Sequence, residues 1–102
     1  MSWQKTSIEL SDMKDKEIRS AEIKNKKMVF IRDGEAVYAL EDRCSHDNSE
    51  FDGGQIIDGN LECPRHGAWF DYKTGGVTGM PAVVGIKKFP TKVQAGVVFV
   101  EI

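Results

Sequence analysis

Apolar and polar residues alternate in short runs along most of this chain, and turn-forming residues close most of the runs. Alternation with a period of two sends successive side chains to opposite faces of a strand. WQKTSIEL near the start predicts an edge strand. Glu17 to Lys24 (EIRSAEIK) sets Ile18, Ala21 and Ile23 in an imperfect alternation, and Asn25-Lys26 predicts a tight turn after it. Lys27 to Arg32 (KMVFIR) is β-branched and aromatic, Asp33-Gly34 follows, and Ala36 to Leu40 (AVYAL) returns. Asp-Gly between two apolar runs is a strong hairpin signal, so a three-stranded meander is expected. Towards the C-terminus, Ala82 to Phe89 (AVVGIKKF) and Val97 to Ile102 (VVFVEI) predict paired strands, joined by a turn around Gln94-Ala95-Gly96. Pro90 has no N–H to give to a ladder and marks a strand end or an edge. Helical periodicity is absent, apart from a single turn expected within SDMKDKEI at 11–18.

Residues 43–81 break this pattern. Glycine is dense there (Gly53, Gly54, Gly59, Gly67, Gly75, Gly76 and Gly79), and only very short strands fit, such as Leu61-Glu62 and Ala68 to Tyr72. Something other than a large apolar core must hold such a segment. The expected architecture is all-β: an antiparallel β base from 1–42 and 82–102, with a small inserted subdomain at 43–81. A length of 102 residues fits one such domain. A core of this size is modest and gains from a staple such as a metal.

Charge narrows the function classes. Fourteen basic residues against 16 acidic give a formal net charge of −2, without the basic patch or stripe that nucleic acid demands. The N-terminus MSWQKTSIELSDMKDKE is polar, with no apolar signal region. No stretch approaches the roughly 18 apolar residues of a membrane span. A soluble, cytoplasmic protein is therefore expected. In that compartment two cysteines point to metal or redox chemistry rather than to a structural disulfide.

Both cysteines and both histidines lie between positions 44 and 66, as Cys44-x-His46 and Cys63-x-x-His66. Each pair sits on one loop and can direct two side chains to one point. Asp58-Gly59-Asn60, flanked by Ile56-Ile57 and Leu61, supplies the hairpin turn that brings the loops face to face, and Gly53-Gly54 allows a sharp bend before it. Gly67 beside His66 leaves room for backbone N–H groups to approach a metal-bound sulfide. Two thiolates and two imidazoles suit either a tetrahedral structural zinc or a 2Fe–2S cluster with Cys₂ on one iron and His₂ on the other. Zinc fingers usually pair Cys with Cys and His with His along the chain, whereas each loop here gives one of each. The mixture favours a binuclear cluster bridged between the loops.

CSH, CPRHGAWFD and the following TGGVTGMPA resemble the Rieske iron–sulfur proteins, whose pattern is C-x-H, a spacer, then C-x-x-H, often continuing as CPxHGxxFD and a TG turn. The resemblance is close over residues 43–81 and general in style elsewhere. It implies that Cys44 and Cys63 hold one iron of a [2Fe-2S] cluster and that His46 and His66 hold the other. It also implies that Gly79-Met80-Pro81 corresponds to the loop that closes over the cluster, with Met80 where the family often has proline.

Departures from the family's membrane-anchored branch sharpen the expectation. That branch carries a second cysteine in each loop, joined as a disulfide, at positions that are Ser49 and Arg65 here. Its hydroxyl donors to the cluster sulfurs fall at positions that are Ala68 and Phe70. Lacking them, this centre is expected at the low end of the Rieske range, near about −150 mV. A terminal oxygenase subunit would need a further two-histidine, one-carboxylate iron site, and no histidine is left over. The resemblance therefore implies a free-standing Rieske-type ferredoxin, itself no enzyme. It would carry single electrons from a flavin- or NAD(P)H-linked reductase to a terminal oxygenase. The competing readings are a Rieske-like small subunit of another redox enzyme such as nitrite reductase, and a zinc-stapled structural module. Asp47, Glu50, Asp52 and Asp58 are expected near the exposed end, either steering a basic partner or forming a solvated face. Arg65 either offsets the charge added on reduction or is merely solvated. Trp69 and Phe70 are expected to pack the core or shield the cluster.

Overall fold

Met28, Val29, Phe30 and Ile31 are all fully buried. A strand permits four consecutive buried side chains only when both of its faces are covered. The computed structural model describes residues 2–102 and shows how this is done. Its strands are β1 (Trp3–Glu9), β2 (Ile18–Ile23), β3 (Lys26–Asp33), β4 (Ala36–Glu41), β5 (Gln55–Ile57), β6 (Asn60–Glu62), β7 (Trp69–Asp71), β8 (Val77–Gly79), β9 (Lys88–Phe89), β10 (Thr91–Gln94) and β11 (Val97–Glu101). They form three antiparallel sheets, ordered β1-β11-β10, β2-β3-β4-β9 and β5-β6-β7-β8.

The middle sheet is the shared wall. Met28 and Phe30 of β3, with Val37 and Ala39 of β4, face a cluster completed by Ile8, Phe89, Val98 and Val100. Val29 and Ile31, with Leu40, face the other way, into a cluster completed by Cys44, Phe51, Leu61, Cys63, Ala68, Phe70 and Tyr72. The period of two in KMVFIR thus deals side chains alternately into two cores, each large apolar side chain contributing roughly 1.5–3 kcal/mol. The third sheet, which carries the second ligand loop, packs on that second face.

The predicted meander is present with its turns slightly displaced. Lys24 and Asn25 take left-handed conformations (φ 53° and 66°), so the first turn sits one residue earlier than Asn25-Lys26. The second uses Gly34 and Glu35 between the paired residues Asp33 and Ala36. Asp58 and Gly59 (φ 49° and 81°) close the β5–β6 hairpin. The helical turn expected within 11–18 is displaced toward the N-terminus: a short 3-10 turn at Leu10–Asp12 shares only Ser11 and Asp12 with that stretch. Among the described residues, no helix is long and apolar enough to cross a membrane.

One predicted strand is absent. Of Ala82 to Phe89, only Lys88–Phe89 pairs, and it pairs with Ala39 and Leu40 of β4 rather than with β11. β11 pairs instead with β10 and with β1. Residues 80–86 form a loop whose backbone bonds go elsewhere: the Ile86 N–H donates to Gly75 O at 2.8 Å, and Ser45 Oγ donates to Val84 O. Ala82 is buried in the second core, but Val83 and Val84 are 80% and 64% exposed, so most of the apolar run at 82–84 marks a surface and not a ladder.

Candidate metal centre

The two ligand loops share one backbone plan. In the first, the Cys44 N–H donates to Ser49 O at 2.7 Å and the Asn48 N–H donates to Cys44 O at 2.8 Å. In the second, the Cys63 N–H donates to Ala68 O at 2.8 Å and the Gly67 N–H donates to Cys63 O at 3.1 Å. Each loop therefore closes on its own cysteine from the fourth and fifth residues after it. The fourth residue is left-handed in both, with φ 64° at Asn48 and 75° at Gly67. Asparagine and glycine are the residues that tolerate this conformation best. The Gly67 N–H is thus committed to Cys63 O and is not free to approach a sulfide. Asp42, only 5% exposed, anchors the exit of the first loop by accepting the Phe51 N–H at 2.7 Å.

These loops bring all four predicted donors to one end of the molecule, sorted by type. Cys44 and Cys63 are buried and unpaired as a disulfide. His46 and His66 are exposed, with ring centroids 5.1 Å apart and planes inclined by 54°. Burial pushes the Cys44 thiol up in pKa; the backbone N–H groups of His46 and Asp47, directed at its sulfur, act against this, and the Cys63 sulfur adds to the rise. Two adjacent buried sulfurs ionise together only beside a positive charge, which a metal supplies.

Asp47 joins both pairs. Its carboxylate lies within 4.8 Å of the two thiol sulfurs in one grouping and of the two imidazole donor nitrogens in the other. Hydrogen bonds from the Ser49 hydroxyl and N–H hold its carboxyl below the usual range, with His66 and Arg65 adding to the effect. Arg65 is exposed, its Nε 3.7 Å from Asp47 Oδ2. Glu50 pairs instead with Lys27 at 3.0 Å. Phe70 is fully buried, edge-on to Phe51 at 5.7 Å, so it packs the core beneath the cysteines. Trp69 is half-buried and donates to Glu62 Oε2 at 2.9 Å. Motif reading missed the inward turn of Asp47 and the role of Asn48. Writing CSHDNS above CPRHGA shows the signal, because it sets Asn48 over Gly67 and Asp47 over His66.

The arrangement of the donors favours one of the two metal readings. A single ion bonded to all four would hold each sulfur about 3.6 Å from each nitrogen. Here the donors fall into two separate groupings, the thiols in one and the imidazoles in the other. That division fits two metal atoms side by side, a soft-ligand one inside and an imidazole-bound one outside.

A β-sandwich base with this paired-loop, two-metal donor set defines a Rieske centre, and the chain belongs to the Rieske [2Fe-2S] domain family, matched over residues 3–90. The [2Fe-2S] cluster of that family is its cofactor. The ferredoxin subunit of 3-phenylpropionate/cinnamic acid dioxygenase from Shigella flexneri serotype 5b (strain 8401) is 37% identical over 70 residues, 68% of this chain. The aligned stretch spans 66% of that relative's own length. The ferredoxin of carbazole 1,9a-dioxygenase from Nocardioides aromaticivorans IC177 superposes with a TM-score of 0.88 at 27% identity, covering 91% of each chain. A chain from a complex of reduced oxygenase and oxidized ferredoxin in carbazole 1,9a-dioxygenase gives a TM-score of 0.87 at 31% identity, over 96% of this chain and 91% of that one.

Proposed function

We propose that this protein is a one-electron carrier, a ferredoxin that takes electrons from a flavin- or NAD(P)H-linked reductase and passes them to a terminal oxygenase. In this reading Cys44 and Cys63 hold the inner iron and His46 and His66 the outer iron. Residues 43–81 act as the cluster-bearing insert on a base of 1–42 and 82–102. The chain catalyses no substrate reaction itself, and it works in the cytoplasm.

The observation that carries this reading is the sorting of donors into a buried sulfur pair and an exposed imidazole pair. The bound cluster supplies reversible one-electron chemistry. The protein's part is to insulate one side and open the other. The sulfur end is sealed among Phe51, Leu61, Ala68 and Phe70, while the exposed imidazoles present the edge where a partner's cofactor approaches. The relatives support the choice of partner, since they are named as ferredoxins of 3-phenylpropionate/cinnamic acid dioxygenase and of carbazole 1,9a-dioxygenase.

The test is electron paramagnetic resonance of the dithionite-reduced protein purified under nitrogen. A rhombic signal with the low average g of a His₂Cys₂ cluster is expected. A colourless, silent protein containing zinc by elemental analysis would sink the proposal.

A further inference from the structure

Because the two ligand loops share one plan, their residues can be matched by position after each cysteine. The second position is His46 in the first loop and Arg65 in the second; the third is Asp47 in the first and His66 in the second. Asp47 therefore stands where the other loop has a donor. Its carboxylate lies inward accordingly, within 4.8 Å of both sulfurs and of both imidazole donor nitrogens in the two groupings that divide the four ligands. The side chain is 21% exposed and is held in place by the Ser49 N–H, which donates to Oδ1 at 3.1 Å. Its one cationic side-chain neighbour among the described ion pairs is Arg65, whose side chain is 66% exposed and whose Nε stays 3.7 Å from Oδ2. Glu50 has its own cation in Lys27, and Asp52 and Asp58 are exposed on the surface.

We propose that the Asp47 carboxylate sets the reduction potential of this centre, holding it below the value it would have with a neutral residue at position 47. This rests on the reading of Cys44, His46, Cys63 and His66 as the ligands. The physical ground is a fixed negative charge beside a group that gains an electron. In partly desolvated surroundings the repulsion is weakly screened, and it falls on the reduced state more than on the oxidised one. Reduction adds one electron to the centre, from dithionite or a reductase, with no bond made or broken at Asp47. The chain thus has a charge-based means of lowering its potential, independent of the missing hydroxyls at Ala68 and Phe70.

The experiment is a redox titration of the native, D47N, D47E and E50Q holoproteins, followed by visible and paramagnetic resonance spectra. D47N keeps the shape and removes the charge. It is expected to raise the midpoint so that the reduced-to-oxidised ratio at a fixed ambient potential grows about tenfold, equivalent to 59 mV for one electron. D47E, which keeps the charge, and E50Q, which removes a more distant one, are expected to stay near the native value. A D47N midpoint at the native value, or one moved no further than that of E50Q, would overturn the proposal. So would a folded D47N protein that takes up no cluster, since Asp47 would then serve assembly. A native protein without the Rieske signal would instead overturn the ligand assignment itself, so the two failures are told apart by the native sample.

Discussion

A methyl group added at Gly75 would meet the Ile86 carbonyl oxygen at 2.2 Å, and one added at Gly54 would meet that of Glu62 at 2.3 Å. Both obstacles are backbone, so neither can swing aside. Gly34 offers the contrast: its φ is also positive, at +63°, but nothing lies within 4 Å of an added Cβ. G34A is expected to cost only the left-handed penalty, about 1–2 kcal/mol. G75A combines that penalty with a displaced carbonyl, and is expected to cost roughly 2–5 kcal/mol. Urea midpoints of the two variants check the difference, and equal losses would show that the close approach at Gly75 does not matter. At this scale the sequence was only partly informative. The density of glycine in 43–81 was visible, but which glycine is pressed against a distant carbonyl depends on a contact between residues 75 and 86. Asp47 escaped for a related reason: among other surface carboxylates its direction shows only when CSHDNS is set over CPRHGA, which places it opposite His66.

Strands with alternating patterns were legible, because burial on one face imposes a period of two on the order of apolar and polar residues. β1 and β2 follow that logic, whereas β3, buried on both faces, was legible from its β-branched and aromatic run and the Asp-Gly after it. The run at 82–89 misled because its apolar residues serve a loop: Val83 and Val84 point outward and the backbone of 84 and 86 bonds to Ser45 and Gly75. The four donors were legible as a motif because their spacing is chemical and not conformational. The Ser45 hydroxyl ties the 80–86 loop to the first ligand loop, and removing it tests how much. In S45A the Ile86 amide, which donates to Gly75 O, is expected to exchange with deuterium about fivefold faster, the effect of losing one hydrogen bond of about 1 kcal/mol. Unchanged exchange at Ile86 would show that the Gly75 contact alone holds the loop.

Across the whole molecule, the third sheet is tied to the middle one at its far end by Tyr72, whose hydroxyl donates to Asp33 Oδ2 at 2.9 Å. Burial, reinforced by that hydrogen bond to Asp33, pushes the Tyr72 pKa up to about 12. Hydrogen bonds from Lys16 and then Tyr72 hold the Asp33 carboxyl below its usual range. The signs are opposite. Between pH 10 and about 12 folded Tyr72 keeps a proton that the unfolded chain has released, so its stabilisation is complete below pH 10 and lost as pH rises to 12. The slope is at most about 1.4 kcal/mol per pH unit. Asp33 contributes above its ordinary value of 3.8 and loses that contribution as pH falls through its lowered folded value. Unfolding midpoints taken across the alkaline limb should fall for the native protein and flatten in Y72F. A Y72F limb as steep as the native one would place the titration elsewhere.

Cys44 and Cys63 sit in the same apolar cluster as Val29, Ile31 and Leu40, so the proposed metal site and the core are one structure. Metal binding free energy is then folding free energy. Chelation or oxidative removal of the irons is expected to lower the thermal midpoint of the whole domain, not of the loops alone, which calorimetry of loaded and stripped protein will show. A carrier of the proposed kind, built this way, would not wear out quietly. The chain that loses its charge-carrying group would also be the chain whose interior opens to proteases. Damage and disposal would thereby be coupled in a single event, and the pool of molecules that the proposed partner meets would stay enriched in those able to deliver.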